Sequence, residues 1–213
     1  MQLLFLGLSA FLVGFSGAMM PGPLLTATIG EAMRRGWLAG PLIALGHAIL
    51  EIAVLLLVVW GLGRYLEERL VIGILGLVGG AVLLWMGWGM MRGAVQAVDR
   101  MNGMMASTKV DVRGPIRVGI LTSLSNPYFT LWWATIGLNY AATALQQGTL
   151  GLGAFYIGHI SADFVWYTFV SVAVASGRRW CSPVIQKWII ILCGLLLILL
   201  GLWFFRAGIL VWL

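Results

Sequence analysis

The chain contains two histidines, each four residues ahead of an acid inside an apolar stretch: Gly46-His47-Ala48-Ile49-Leu50-Glu51 and Gly158-His159-Ile160-Ser161-Ala162-Asp163. Four residues along a helix return to the same face one turn on, so imidazole and carboxylate become neighbours. An ionised carboxylate at a bilayer centre costs about 2.5–3.5 kcal/mol on insertion scales, so it is a candidate for binding a cation or carrying a proton. Histidine titrates near physiological pH and can tune or relay that proton. The duplicated pattern points to a duplicated transport site at His47, Glu51, His159 and Asp163. The bland alternative is that each pair is an internal hydrogen bond masking a costly polar face.

The second feature is a pair of helix breaks. Pro21-Gly22-Pro23 removes two backbone donors around a glycine, and Ser123-Leu124-Ser125-Asn126-Pro127 interrupts another apolar run. Backbone freed at membrane depth must be satisfied by protein, ions or water, so such breaks line cavities, although some proline kinks only shape a helix. The fragment after each break offers free N–H groups and partial positive charge to an anion such as a carboxylate. The acids suit a cation. A site with both suits a zwitterion, and Pro21, Gly22, Pro23, Glu51, Asn126, Pro127 and Asp163 are its expected substrate contacts.

The elements that carry these residues must be membrane helices. Of 213 residues, 61% are hydrophobic and 9% charged, with a mean hydropathy of +1.00, outside the range of soluble domains. Six apolar segments, roughly 3–32, 38–63, 70–91, 115–141, 149–176 and 186–212, each reach the roughly 20 residues that a crossing needs. The expected fold is all-α and polytopic, with six transmembrane helices, the first and fourth broken. The apolar start lacks a basic leading region and is read as the first span rather than a cleaved signal. Cys181 and Cys193 read as packing residues, without a spacing for redox or zinc chemistry.

The net charge of +6 encodes orientation rather than nucleic-acid binding. Arg34, Arg35, Arg92, Arg100, Lys109, Arg113, Arg117, Arg178, Arg179 and Lys187 fall between segments one and two, three and four, or five and six, or beside those loops. The alternate loops hold only Arg64 and Arg69, offset by Glu67 and Glu68. The positive-inside rule makes the basic side cytoplasmic and puts both termini outside.

An internal repeat runs through the chain. Gly80, Gly87 and Arg92 share their spacing with Gly194, Gly201 and Arg206, offset by 114 residues; Glu51 and Asp163 are offset by 112, and Pro21 and Pro127 by 106. Residues 1–92 and 115–213 then form two three-helix halves joined by a cytoplasmic linker, 93–114. Three spans per half force opposite orientations, giving a 3+3 inverted-topology repeat, a common design in secondary transporters. The glycine face of segment three serves helix packing inside a protomer or a homodimer contact.

Met20-Pro21-Gly22-Pro23, followed by Arg34-Arg35-Gly36, Gly40 and Gly46, resembles the first half of the lysine-exporter (LysE/RhtB-type) translocator family. Gly119-Ile120-Leu121-Thr122-Ser123-Leu124-Ser125-Asn126-Pro127 resembles its second signature, and the likeness covers nearly the whole chain. The resemblance implies an exporter in the cytoplasmic (inner) membrane of a prokaryote, most often of amino acids, driven by the proton-motive force. With two central acids, the substrate favoured is a basic amino acid such as lysine or arginine. In the expected proton-coupled alternating access, Glu51 and Asp163 bind ammonium or proton, assisted by His47 and His159. Protons, membrane lipid and the amino acid are the expected partners, with no nucleic acid, cofactor or resident metal. A rival is export of divalent metal cations such as cadmium through the same Glu/Asp/His site. An enzyme is not expected, since no serine or cysteine nucleophile is paired with a base.

Overall fold

Segment one is not a single helix. The computed structural model describes residues 1–61, 68–102 and 112–211. In it α1 (Gln2–Ala18) and α2 (Pro23–Arg35) meet at 78°. α1 closes with the Met19 N–H on the Phe15 carbonyl at 3.0 Å and the Met20 N–H on that of Gly17 at 3.2 Å. α2 restarts from Gly22 with proline at its first position, where the missing N–H costs no helical bond. Gly36, at φ +90°, ends α2 in a conformation that favours glycine.

The chain continues through α3 (Ala39–Val59), α4 (Arg69–Arg92) and α5 (Ala94–Asn102). After these come α6 (Arg113–Leu124), α7 (Pro127–Trp132), a π turn (Trp133–Gly137) and α8 (Leu138–Leu145). α9 (Gly148–Gly177), a 3₁₀ turn (Arg178–Trp180) and α10 (Pro183–Leu210) complete it, with no strand among the described residues. Of these helices α3, α4, α9 and α10 are each long and apolar enough to cross a membrane, and the bent pair α1–α2 makes a fifth if taken together. The fourth segment is broken where expected, between Leu124 and Pro127, and beyond the break helical backbone continues from Pro127 to Leu145 with a π turn at Trp133–Gly137.

Within the predicted linker, α5 buries Ala94, Ala97 and Val98 in a cluster with Met33 of α2 and Ile190 of α10. Residues 103–111, including Lys109, and 62–67, including Arg64 and Glu67, lie outside the described residues. The surface is apolar: Leu4, Phe5 and Leu12 are 68%, 75% and 70% exposed, whereas Thr28, Glu51, Thr122 and Ser171 are buried. That inversion of the soluble pattern fits a lipid surround.

Glycines let backbones touch at several helix pairs. α4 and α10 pack face to face; a Cβ on Gly80 would lie 2.7 Å from the Gly201 carbonyl oxygen, and one on Gly87 2.5 Å from that of Gly194. The glycine face of segment three is therefore used inside the protomer. A Cβ on Gly46 of α3 would stand 2.1 Å from the Ile116 carbonyl oxygen of α6. One on Gly158 of α9 would stand 2.2 Å from that of Gly7 in α1.

The basic end of α2 is fixed separately. Glu31 is buried and paired with Arg34 at 2.8 Å and with Arg35. Arg178 Nη1 donates to the Met33 carbonyl at 2.8 Å, satisfying a helix-end acceptor. Gln186 Nε2 donates to the carbonyls of Arg178 (3.0 Å) and Cys181 (3.1 Å). A half-length helix thus gains a firm attachment to α9 and α10.

Gly46→Ala and Gly158→Ala should each lower stability by about 1–3 kcal/mol through overpacking against backbone. Gly153→Ala, which meets nothing within 4 Å, should be neutral or gain up to about 1 kcal/mol from helix propensity. Thermal unfolding of the three variants in detergent checks the opposite signs.

Candidate functional site

The two copies of the His–acid motif converge on one point. α3 presents His47 and Glu51, and α9 presents His159 and Asp163; all four side chains are buried. The shortest contact runs between the copies: His159 Nε2 lies 2.9 Å from Glu51 Oε1. The pairs within each helix, suggested by the four-residue spacing, are looser, at 3.4 Å for His47–Glu51 and 3.9 Å for His159–Asp163. His47 Nε2 also faces Asp163, at 3.9 Å. Each imidazole therefore turns Nε2 toward both acids.

Neighbouring elements hold this arrangement. Trp133 Nε1, from the first residue of the π turn, donates to Glu51 Oε1 at 3.1 Å. Ser123 Oγ of α6 lies 2.7 Å from His47 Nδ1. Trp132 stacks on His159 with ring centroids 4.4 Å apart, and Phe129 meets His47 edge to face at 5.4 Å. Tyr156 ties α9 to α3 through its hydroxyl, which donates to the Ala48 carbonyl at 2.8 Å. Gly14 of α1 makes room for α9: a Cβ there would be 2.9 Å from the His159 carbonyl oxygen. Ring orientation is thereby set from several elements at once.

Three buried atoms in the cluster have no hydrogen-bond partner among the described residues: Glu51 Oε2, Asp163 Oδ2 and His159 Nδ1. Such atoms are costly unless something else meets them. They border a cavity of about 90 Å³ that lies at both helix breaks, lined on one side by Ala18, Pro21 and Gly22 and on the other by Ser123 and Asn126. The breaks come close: a Cβ on Gly22 would lie 3.9 Å from Asn126 Nδ2. Asn126 Oδ1 accepts from the Tyr128 N–H at 3.1 Å, capping α7, which turns its amide donor toward Gly22. The N-terminus of α2 has no side-chain cap, and its first-turn N–H groups lack helical partners.

Of the residues expected from sequence, His47, Glu51, His159, Asp163, Pro21, Gly22 and Asn126 line this one cavity. Pro23 is buried at the start of α2, away from the lining, and acts by fixing that helix start. Pro127 opens α7. Sequence reasoning missed Ser123 as the partner of His47, Phe129, and Tyr167, whose hydroxyl donates to the Ala18 carbonyl at 3.3 Å. Tyr167 follows Asp163 by four residues, the same spacing that marked the His–acid pairs, so a signal for it existed. Trp132 and Trp133 follow Pro127 by five and six residues, the one sequence signal that places them near the break.

Chemically, the cavity offers open carboxylate oxygens to a cation or proton and backbone and amide donors to an anion. Ligand atoms of His47, Glu51 and Asp163 also lie within 4.8 Å of one another, a set that could meet a divalent metal.

An uncharacterized membrane protein of Pseudomonas aeruginosa is 29% identical over 169 residues, 76% of this chain and 78% of its own. The Bacillus subtilis (strain 168) protein named "Putative amino acid efflux protein YcgF" is 24% identical over 203 residues, 95% of this chain and 96% of its own. An uncharacterized membrane protein of Escherichia coli (strain K12), YahN, is 27% identical over 155 residues, 72% of this chain and 67% of its own. No solved structure matches. Residues 15–208, spanning both helix breaks and His47, Glu51, His159 and Asp163, match the LysE type translocator family, and the chain belongs to it.

Proposed function

We propose that this membrane transporter exports an amino acid across the cytoplasmic membrane of a prokaryote by proton-coupled alternating access. The observation that carries the reading is the cluster itself: two acids and two histidines from different helices, with Glu51 Oε2 and Asp163 Oδ2 unpartnered at a cavity between two helix breaks. Family membership and the printed name of the Bacillus subtilis relative support transport of this kind.

In this reading the substrate ammonium takes the place of a proton at Glu51 Oε2 and Asp163 Oδ2. Its carboxylate meets the first-turn N–H groups of α2 and the Asn126 amide. His47 and His159 pass protons to and from the two acids. On the cytoplasmic side the deprotonated acids accept the ammonium. On the outer side protons return to them and the ammonium leaves, so proton entry drives export. No chemical bond of the substrate changes.

Alternating access draws on a 3+3 inverted repeat with both termini outside. What supports it is an exchange of roles: α3 of the first half abuts α6 through Gly46, while α9 of the second half abuts α1 through Gly158. The third helices of each half, α4 and α10, pair through matching glycines. His159–Glu51 then bridges the halves, and a cation arriving at Glu51 competes directly with that bridge.

A second reading, divalent-metal export, is favoured by one observation, the mutual 4.8 Å spacing of His47, Glu51 and Asp163 ligand atoms. Counterflow in proteoliposomes with labelled amino acids and with cadmium separates the two. Amino-acid exchange that a proton gradient accelerates is expected; cadmium movement with amino acids inert would overturn the proposal in favour of the metal.

Glu51→Gln should lower amino-acid exchange by ~100-fold, about 2.7 kcal/mol, while the purified protein keeps its helical circular dichroism. Trp133→Phe keeps the ring but removes a donor to a charged group, normally worth about 1.5–3 kcal/mol. It should slow exchange by roughly tenfold or more.

A further inference from the structure

The cavity carries information about the substrate's side chain. A basic amino acid brings two cationic groups separated by a flexible stem of about four carbons, and each needs a partner once water is excluded. Glu51 and Asp163 do not provide two places. Their oxygens stand with His47 inside one 4.8 Å group, and His159 Nε2 lies within 3.9 Å of each acid. They are one cationic locus, already edged by two imidazoles.

No other acid is among the residues lining the cavity. At the carbonyl end of α1, the Ala18 carbonyl is engaged by the Tyr167 hydroxyl at 3.3 Å. The lining's other polar side chains, Ser16, Ser123, Asn126, Tyr128 and Tyr167, are all uncharged, and the wall against the histidines is aromatic. Phe129 and Trp132 pack directly on the two histidines, and Leu24 and Met20 lie on the same lining.

We propose that the transported amino acid bears a neutral, apolar side chain, of the leucine, methionine or phenylalanine kind, lodged against Phe129 and Trp132 while its ammonium sits at Glu51 and Asp163. The inference rests on the amino-acid exporter reading. It makes Phe129 and Trp132 specificity-determining residues and departs from the basic substrate that a count of two acids suggests.

The test is counterflow of labelled leucine in proteoliposomes holding the full chain, with a tenfold excess of unlabelled competitor, beside thermal-shift measurements of binding in detergent. Methionine and phenylalanine should suppress leucine exchange at least fivefold, and lysine and arginine should leave it within twofold. Trp132→Ala should lower the preference for leucine over alanine by about tenfold; Phe129→Leu is the milder variant if that protein is unstable. Lysine or arginine competing as well as methionine would overturn the inference and leave the exporter reading intact, as would an unchanged preference in both folded variants. If no amino acid exchanges or shifts the melting temperature while cadmium does, both fail together.

Discussion

Keeping a carboxylate inside hydrocarbon is the constraint on which this structure turns. Glu51 is 1% exposed, and its Oε1 faces the Trp133 indole, His159 and His47 within 3.4 Å. The insertion cost of one such charge is about 2.5–3.5 kcal/mol, and a hydrogen bond to a charged group returns about 1.5–3 kcal/mol. One good donor offsets the burial in part, and two offset it fully. That comparison explains why side chains from α3, α9 and the π turn converge on a single oxygen.

Meeting that demand shapes the elements around it. α1 stops at Ala18 and α2 restarts at Pro23, so that backbone donors and the Gly22 position reach the depth of Glu51. α6 ends just past Ser123, which holds His47, and α7 begins after Asn126. The glycine contacts at Gly46, Gly158, Gly80 and Gly87 bring the backbones close enough for short polar side chains to meet. Far from the cavity, Arg178 and Gln186 secure the free end of α2, a helix too short to hold its place by lipid contact alone.

Much of this was legible in the residues. The His–acid spacing, the prolines around Gly22 and the Asn126-Pro127 pair point to seven of the 17 residues that line the cavity, because each rests on a local rule of helix geometry or proline chemistry. The choice of partner was not legible. Four-residue spacing suggests pairing within a helix, whereas the shorter bond, His159 to Glu51, depends on how α9 crosses α3. Trp133 and Ser123 were hidden for the same reason, their contacts being 82 and 76 residues distant in sequence. The break in the fourth segment was legible in Asn126-Pro127, but the π turn at Trp133–Gly137, which carries the Trp133 indole to Glu51, has no local sequence signal.

The central claim is that Glu51 and His159 act as one unit joining the two copies of the motif. A double-mutant cycle over Glu51→Gln and His159→Gln, read as amino-acid exchange rate in proteoliposomes, tests it directly. If they form one unit, the double variant exchanges no more slowly than the worse single variant, within about twofold. Losses that multiply, each variant adding its full factor to the other, would show two independent sites and contradict the account.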